Sequence, residues 1–138
     1  MPNLDRFVRA QKCYYNTALE EVRNGRKESH WIWYIFPQLK DLGFSDNAKL
    51  YGIDGLSEAK EYIADPFLKE RLIGISQALL ESDESDISAI FGYPDDLKVQ
   101  SCMTLFRAAC PEEKVFDQVL ERFFNGEADA RTLEIIGQ

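Results

Sequence analysis

The only histidine of the chain, His30, opens the run His30-Trp31-Ile32-Trp33-Tyr34-Ile35-Phe36-Pro37-Gln38, which also holds both tryptophans. Imidazole titrates nearest neutrality of all side chains, so His30 is the first candidate to move a proton. Burial among rings shifts that titration either way, according to its partners. Without such a task, a histidine here is a core-edge residue held by a backbone carbonyl. Rings this dense are costly to expose, and the run is expected to be mostly buried.

Lys98 and Ser101 are three residues apart and would adjoin on a helix. A desolvated lysine can serve as base to a serine nucleophile. The familiar Ser-x-x-Lys order is reversed here, however, and the plainer reading is a Lys98–Asp95 surface pair with Ser101 packed near the backbone. Gln11 interrupts an apolar stripe, four residues before Tyr15, and must find hydrogen-bond partners, whether a ligand, another side chain or a helix end. Gln38, behind Pro37, could satisfy a helix C-terminus. Lys27, Lys98 and Arg107 are cations that, clustered with His30 and the indoles, would receive an anionic ligand with a stackable ring. Asp95-Asp96 reads as a helix cap and dipole partner rather than a metal site.

The candidate catalytic residues are therefore His30, Lys98 and Ser101. Gln11, Tyr15, Lys27, Trp31, Trp33 and Gln38 are the candidate ligand-binding residues. In this reading the indoles stack on a ring, the cations hold an anionic or nucleotide-like group, and His30 moves a proton. Hydrolysis or group transfer is favoured over redox chemistry, because no redox-cofactor motif occurs. No Gly-rich phosphate loop or G-x-S-x-G elbow is found. No cofactor or metal is assigned. A second class is a non-catalytic interaction module, in which an exposed part of the aromatic run docks a partner.

The 138 residues fit one compact domain, 1–138. A net charge of -8 repels a phosphate backbone and argues against nucleic-acid binding. No stretch approaches the roughly 18 apolar residues of a membrane span, and Met1-Pro2-Asn3-Leu4-Asp5 lacks the features of a signal peptide. A cytoplasmic protein is expected, with a monomer favoured. Cys13, Cys102 and Cys110 form no C-x-x-C pair and are expected to be reduced, buried thiols.

Apolar periodicity predicts a helix over 3–23, capped by Asn3 and carrying Leu4, Phe7, Val8 and Tyr14 or Tyr15 inward. The aromatic run reads as a helix over 29–36 capped by Ser29, with a strand as the alternative. Short helices follow from Ser45-Asp46 to Tyr51 and from Ser57 to Ile63. Asp65-Pro66 marks a helix start, and that helix runs to Leu80. Asp86 opens a short helix broken at Gly92-Tyr93-Pro94. Asp95 or Asp96 caps a helix to Ala109. Glu113 to Phe124 is another, and a last one begins at Asp129 or Thr132. No alternating strand is convincing, so an all-α multihelical domain is expected.

Most of the chain also resembles a family of small bacterial proteins classed as a domain of unknown function. The matching pieces begin with Phe7, Ala10-Gln11 and Tyr15, and continue with the whole block from Lys27 to Leu39. Leu42-Gly43-Phe44-Ser45, Ala48, Tyr51-Gly52-Ile53 and Arg71-Leu72 follow. Ile90-Phe91-Gly92, Asp95-Asp96, Lys98, Ser101, Met103-Thr104-Leu105-Phe106, Asp129 and Thr132-Leu133 complete them. The resemblance implies a family-specific helical fold with central helices buried by the others. It brings no established activity, cofactor or catalytic residue. The label calpastatin, often attached to members, does not fit, because that inhibitor acts through disordered repeats and this chain has a core-rich composition without repeats.

Overall fold

The computed structural model describes residues 4–138. Among them nine α-helices run α1 (Asp5–Arg23), α2 (Ile32–Ile35), α3 (Asp46–Tyr51), α4 (Leu56–Ala64), α5 (Pro66–Leu80), α6 (Ile87–Phe91), α7 (Asp95–Ala109), α8 (Val115–Phe124) and α9 (Ala130–Ile136). The expected all-α architecture is what the chain adopts. The only strand-like pairing described is an isolated parallel bridge between Leu39 and Ile53.

Local chemistry sets most of the boundaries. Asp65 accepts the Phe67 and Leu68 N–H groups at 2.9 and 3.3 Å, with Pro66 at the first helical position of α5. Ser45 accepts the Ala48 N–H at 3.1 Å and opens α3. Asp86 does the same for α6 through Ser88, and Asp129 for α9 through Thr132. Ahead of α7, Pro94 occupies the cap position. Asp95 and Asp96 fall inside its first turn, where Asp96 ties α7 to α6 through the Ser88 hydroxyl at 2.6 Å. The expected cap Asn3 lies outside the described residues.

α7 is the central helix. It packs on α4, α6, α8 and α9, and seven of its residues between Val99 and Phe106 are buried. α5 lies against α1, α4 and α8, burying Leu68, Leu72, Ile75 and Leu79. A line of ring contacts crosses the core from Phe7 through Tyr62 and Phe106 to Phe116, with centroids 5.1, 5.1 and 6.1 Å apart. Edge-to-face and tilted geometries of this kind add to the burial of each ring.

The aromatic run differs from its expected form. Only Ile32–Ile35 is helical, and Trp31 precedes the helix with φ −137°. Ser29 does not cap it, because its N–H and hydroxyl are both turned onto Glu21. Residues 31–39 are all buried. Trp31 meets Phe36 and Phe91 at 6.2 and 6.0 Å, closing a three-ring cluster with Phe36–Phe91 at 5.7 Å. The thiols also depart in part from expectation, since Cys13 is exposed while Cys102 and Cys110 are buried.

Candidate functional site

The segment carrying Lys27 and His30 has no regular structure and is held by one carboxylate. Glu21, on the last turn of α1, accepts the Glu28 N–H at 2.7 Å, the Ser29 N–H at 2.9 Å, the Ser29 hydroxyl at 2.7 Å and the Trp31 indole N–H at 2.9 Å. Burial alone would raise its pKa. The hydrogen bonds outweigh burial and hold the carboxyl at about 2. On the other side the Lys27 N–H donates to Ile90 O at 2.6 Å, fixing the segment to α6.

This clasp aims Lys27 at the start of α7. The Lys27 ammonium lies 2.9 Å from one oxygen of Asp95, and the Lys98 ammonium lies 3.1 Å from the other. Each lysine also sits over an indole: Lys27 is 5.1 Å from the Trp31 ring and Lys98 is 5.6 Å from the Trp33 ring. The Lys27 side chain is only 7% exposed. A cleft of about 180 Å³ opens over this triad, lined by Lys27, His30, Trp31, Ile32, Trp33, Ser45, Asn47, Asp95 and Lys98. Its far wall is the loop that enters α3. Gly43 seats that loop on Trp33, since a Cβ there would lie 2.7 Å from the indole Cζ2.

The structure thus brings together Lys27, His30, Trp31, Trp33 and Lys98 of the expected site residues. His30 is exposed at its edge. The indoles do not offer free faces for stacking: Trp31 and Trp33 are 1% and 5% exposed, so they wall the cleft and carry the lysines.

Four expected residues lie outside the lining. Gln11 is a strut between helices, its amide donating to Tyr34 O at 2.8 Å and the Tyr62 hydroxyl at 2.9 Å. Tyr62 is buried, which pushes its pKa far up and keeps it neutral. The Tyr15 hydroxyl donates to Arg71 O at 2.8 Å, tying α1 to α5. Gln38 is buried at the Leu39–Ile53 bridge, where its own carbonyl accepts the Ile53 N–H at 2.8 Å. The Ser101 hydroxyl is turned back onto Leu97 O at 3.1 Å within α7, so the Lys98–Ser101 pairing forms no reactive dyad facing the cleft. Arg107 also stands apart, pairing with Asp117 of α8 at 3.6 Å.

Asp95, Ser45 and Asn47 complete the cleft without having been singled out as ligand-binding residues. Asp95 carried a signal, the i,i+3 spacing to Lys98, that reads as an ordinary surface pair. Ser45 carried none beyond capping a short helix, and Asn47 carried none at all. A second hollow of about 220 Å³ lies by Arg6, Lys40, Lys49, Asp54 and Glu58. Its buried acid is already satisfied, since Glu58 takes the Arg6 guanidinium at 3.1 Å and the Asp54 N–H at 2.8 Å. That hollow lies where Arg6 of α1 reaches the end of α3 and the start of α4, donating also to Gly52 O at 3.1 Å.

Comparison with known proteins adds the family and no activity. No curated protein matches the chain. The crystal structure of a conserved hypothetical protein from Mycobacterium tuberculosis is similar to it at 41% sequence identity and a TM-score of 0.94, over 98% of this chain and 96% of that one. A family model described as "Protein of unknown function (DUF1810)" matches residues 1–136. With that model spanning nearly every residue and the crystallographic relative sharing the whole fold, the chain belongs to the DUF1810 family of proteins of unknown function.

Proposed function

We propose that the cleft over Lys27, Asp95 and Lys98 binds the anionic group, phosphate or carboxylate, of a small molecule. The observation that carries this reading is the pair of ammonium groups, supplied by two distant segments, that share a single carboxylate. The triad has a formal charge of +1 on a protein whose net charge is -8. Each ammonium has three N–H donors and directs one at Asp95, which leaves donors for a ligand oxygen. Ser45 Oγ accepts a backbone N–H and keeps its own proton to donate. The lysines need little ordering on binding, because the indoles and Asp95 already hold them.

His30, at the edge of the cleft, is the group placed to move a proton, in hydrolysis or group transfer. Ser101 supplies no nucleophile to that chemistry. The interaction-module reading draws less support, since the aromatic run is buried and presents no docking face.

A thermal-shift series with inorganic phosphate, sugar phosphates and small carboxylates tests the reading on wild type, Lys98→Met and His30→Ala. A ligand at 100 times its dissociation constant stabilises by about 2.7 kcal/mol. The expected result is stabilisation of wild type by at least one member and its loss in Lys98→Met. Stabilisation by none, or full stabilisation of Lys98→Met, overturns the proposal.

A further inference from the structure

The residues that line the cleft are of two chemical kinds. Lys27 and Lys98 offer charged donors. Ser45 and Asn47, from the start of α3, offer neutral groups that both donate and accept. Asn47 is exposed, and among the described residues its amide takes no hydrogen-bond partner. A bare anion would use only the donors of this set and would leave the amide oxygen facing it unmatched.

Asp95 bears on the same point. Its two oxygens take one ammonium each, at 2.9 and 3.1 Å, whereas a carboxylate has about four lone-pair sites. The lone pairs left over repel an anion and accept from a hydroxyl. Acceptors on Asp95 and Asn47 beside donors on both lysines therefore suit a ligand that carries an anionic group and hydroxyls together.

The donors favour phosphate as the anionic group. Each ammonium keeps two N–H donors after meeting Asp95, and the Ser45 hydroxyl keeps its proton. That set matches the three acceptor oxygens of a phosphate monoester better than the two of a carboxylate. Size bounds the remainder. Pockets that enclose drug-sized ligands run from roughly 300 to 1,000 Å³, so about 180 Å³ leaves room for only a short carbon chain beyond the phosphate. The buried indoles offer no open ring face to a base.

We infer that the ligand of this cleft is a short hydroxylated phosphate monoester, of the polyol phosphate class, and that Asn47 is the residue that selects its hydroxyls. This inference rests on the anion-binding reading of the cleft and narrows it from small anions in general to one class.

The test is calorimetric titration of glycerol 3-phosphate and propyl phosphate into wild type, Asn47→Ala and Lys98→Met. The two probes share a carbon chain and differ only in hydroxyls. Asn47 is exposed, so Asn47→Ala keeps the fold. Glycerol 3-phosphate is expected to bind wild type at least about fivefold more tightly, the net worth of one hydrogen bond. Asn47→Ala is expected to bind the two probes alike, and Lys98→Met to weaken both. Equal binding of the probes to wild type overturns the hydroxyl inference and leaves the anion site standing. A glycerol 3-phosphate advantage that survives in Asn47→Ala also overturns it. Binding of neither probe removes the anion site, and the hydroxyl inference with it.

Discussion

Two carboxylates flank the same irregular segment, and they are satisfied in opposite ways. Glu21 lies beneath residues 28–31 and accepts four hydrogen bonds from neutral donors of one short stretch of chain. Asp95 lies at the segment's other side and is met by two ammonium groups. The first arrangement fills the acceptor's lone pairs with backbone, hydroxyl and indole N–H groups and closes around it. The second leaves both cations with unused donors beside an open cleft. A carboxylate saturated by neutral groups shapes the chain, whereas one shared between cations leaves charge for something else to meet.

The sharpest way to break the comparison is Glu21→Ala. It strands the Trp31 indole N–H and two backbone N–H groups, and should cost about 4 kcal/mol in urea unfolding. A loss under about 1 kcal/mol would mean that water replaces the carboxylate and that the clasp is not structural. Acid provides a second approach to the same residue. With a folded pKa of about 2 against an ordinary 4.5, ionised Glu21 contributes stability that is fully present above pH 4.5 and is lost as pH falls toward 2. The gap corresponds to about 3 kcal/mol. Glu21→Gln should therefore flatten the pH dependence of unfolding in that window, and an unchanged slope would assign the acid sensitivity elsewhere.

Asp95→Asn should act in the contrary sense. One largely buried and one partly exposed ion pair are lost, so stability should fall by about 2 kcal/mol. The lysines would then be left with a formal charge of +2, and inorganic phosphate should bind severalfold more tightly in calorimetry. Weaker phosphate binding would show that Asp95 holds the lysines in place more than it neutralises them. The smallest effect belongs to Ser101→Ala. Its hydroxyl serves only Leu97 O, so unfolding should change by less than about 0.5 kcal/mol and phosphate affinity not at all. A measurable loss of affinity would restore Ser101 to the site.

Much of the helical plan was readable directly. Asp65-Pro66, Ser45, Asp86 and Asp129 start their helices through local side-chain-to-backbone bonds, which depend on neighbours in sequence alone. The aromatic run misled in one respect. Ser29 has the chemistry of a cap, but Glu21, eight residues earlier, takes both its N–H and its hydroxyl. Gln11 and Gln38 misled for a related reason. A polar residue on an apolar face needs a partner, and sequence could not say that Tyr34 O and Tyr62 serve Gln11 across the core.

By itself the sequence determined an all-α chain, the burial of its aromatic run, and a short list of cations and one histidine able to meet an anion. These follow from periodicity, capping and apolar content, which act over a few residues. Tertiary structure decided which of the listed residues meet. Lys27, His30 and Lys98 line one cleft because Glu21 folds the 28–31 segment back and α6 holds it against the first turn of α7. Ser101, Tyr15 and Gln11 do not line it, because the hydroxyls of the first two and the amide nitrogen of Gln11 found partners within α7 or between helices. Pairing of charges and hydrogen bonds across long separations depends on where the packed helices place them, and local pattern carries no record of that.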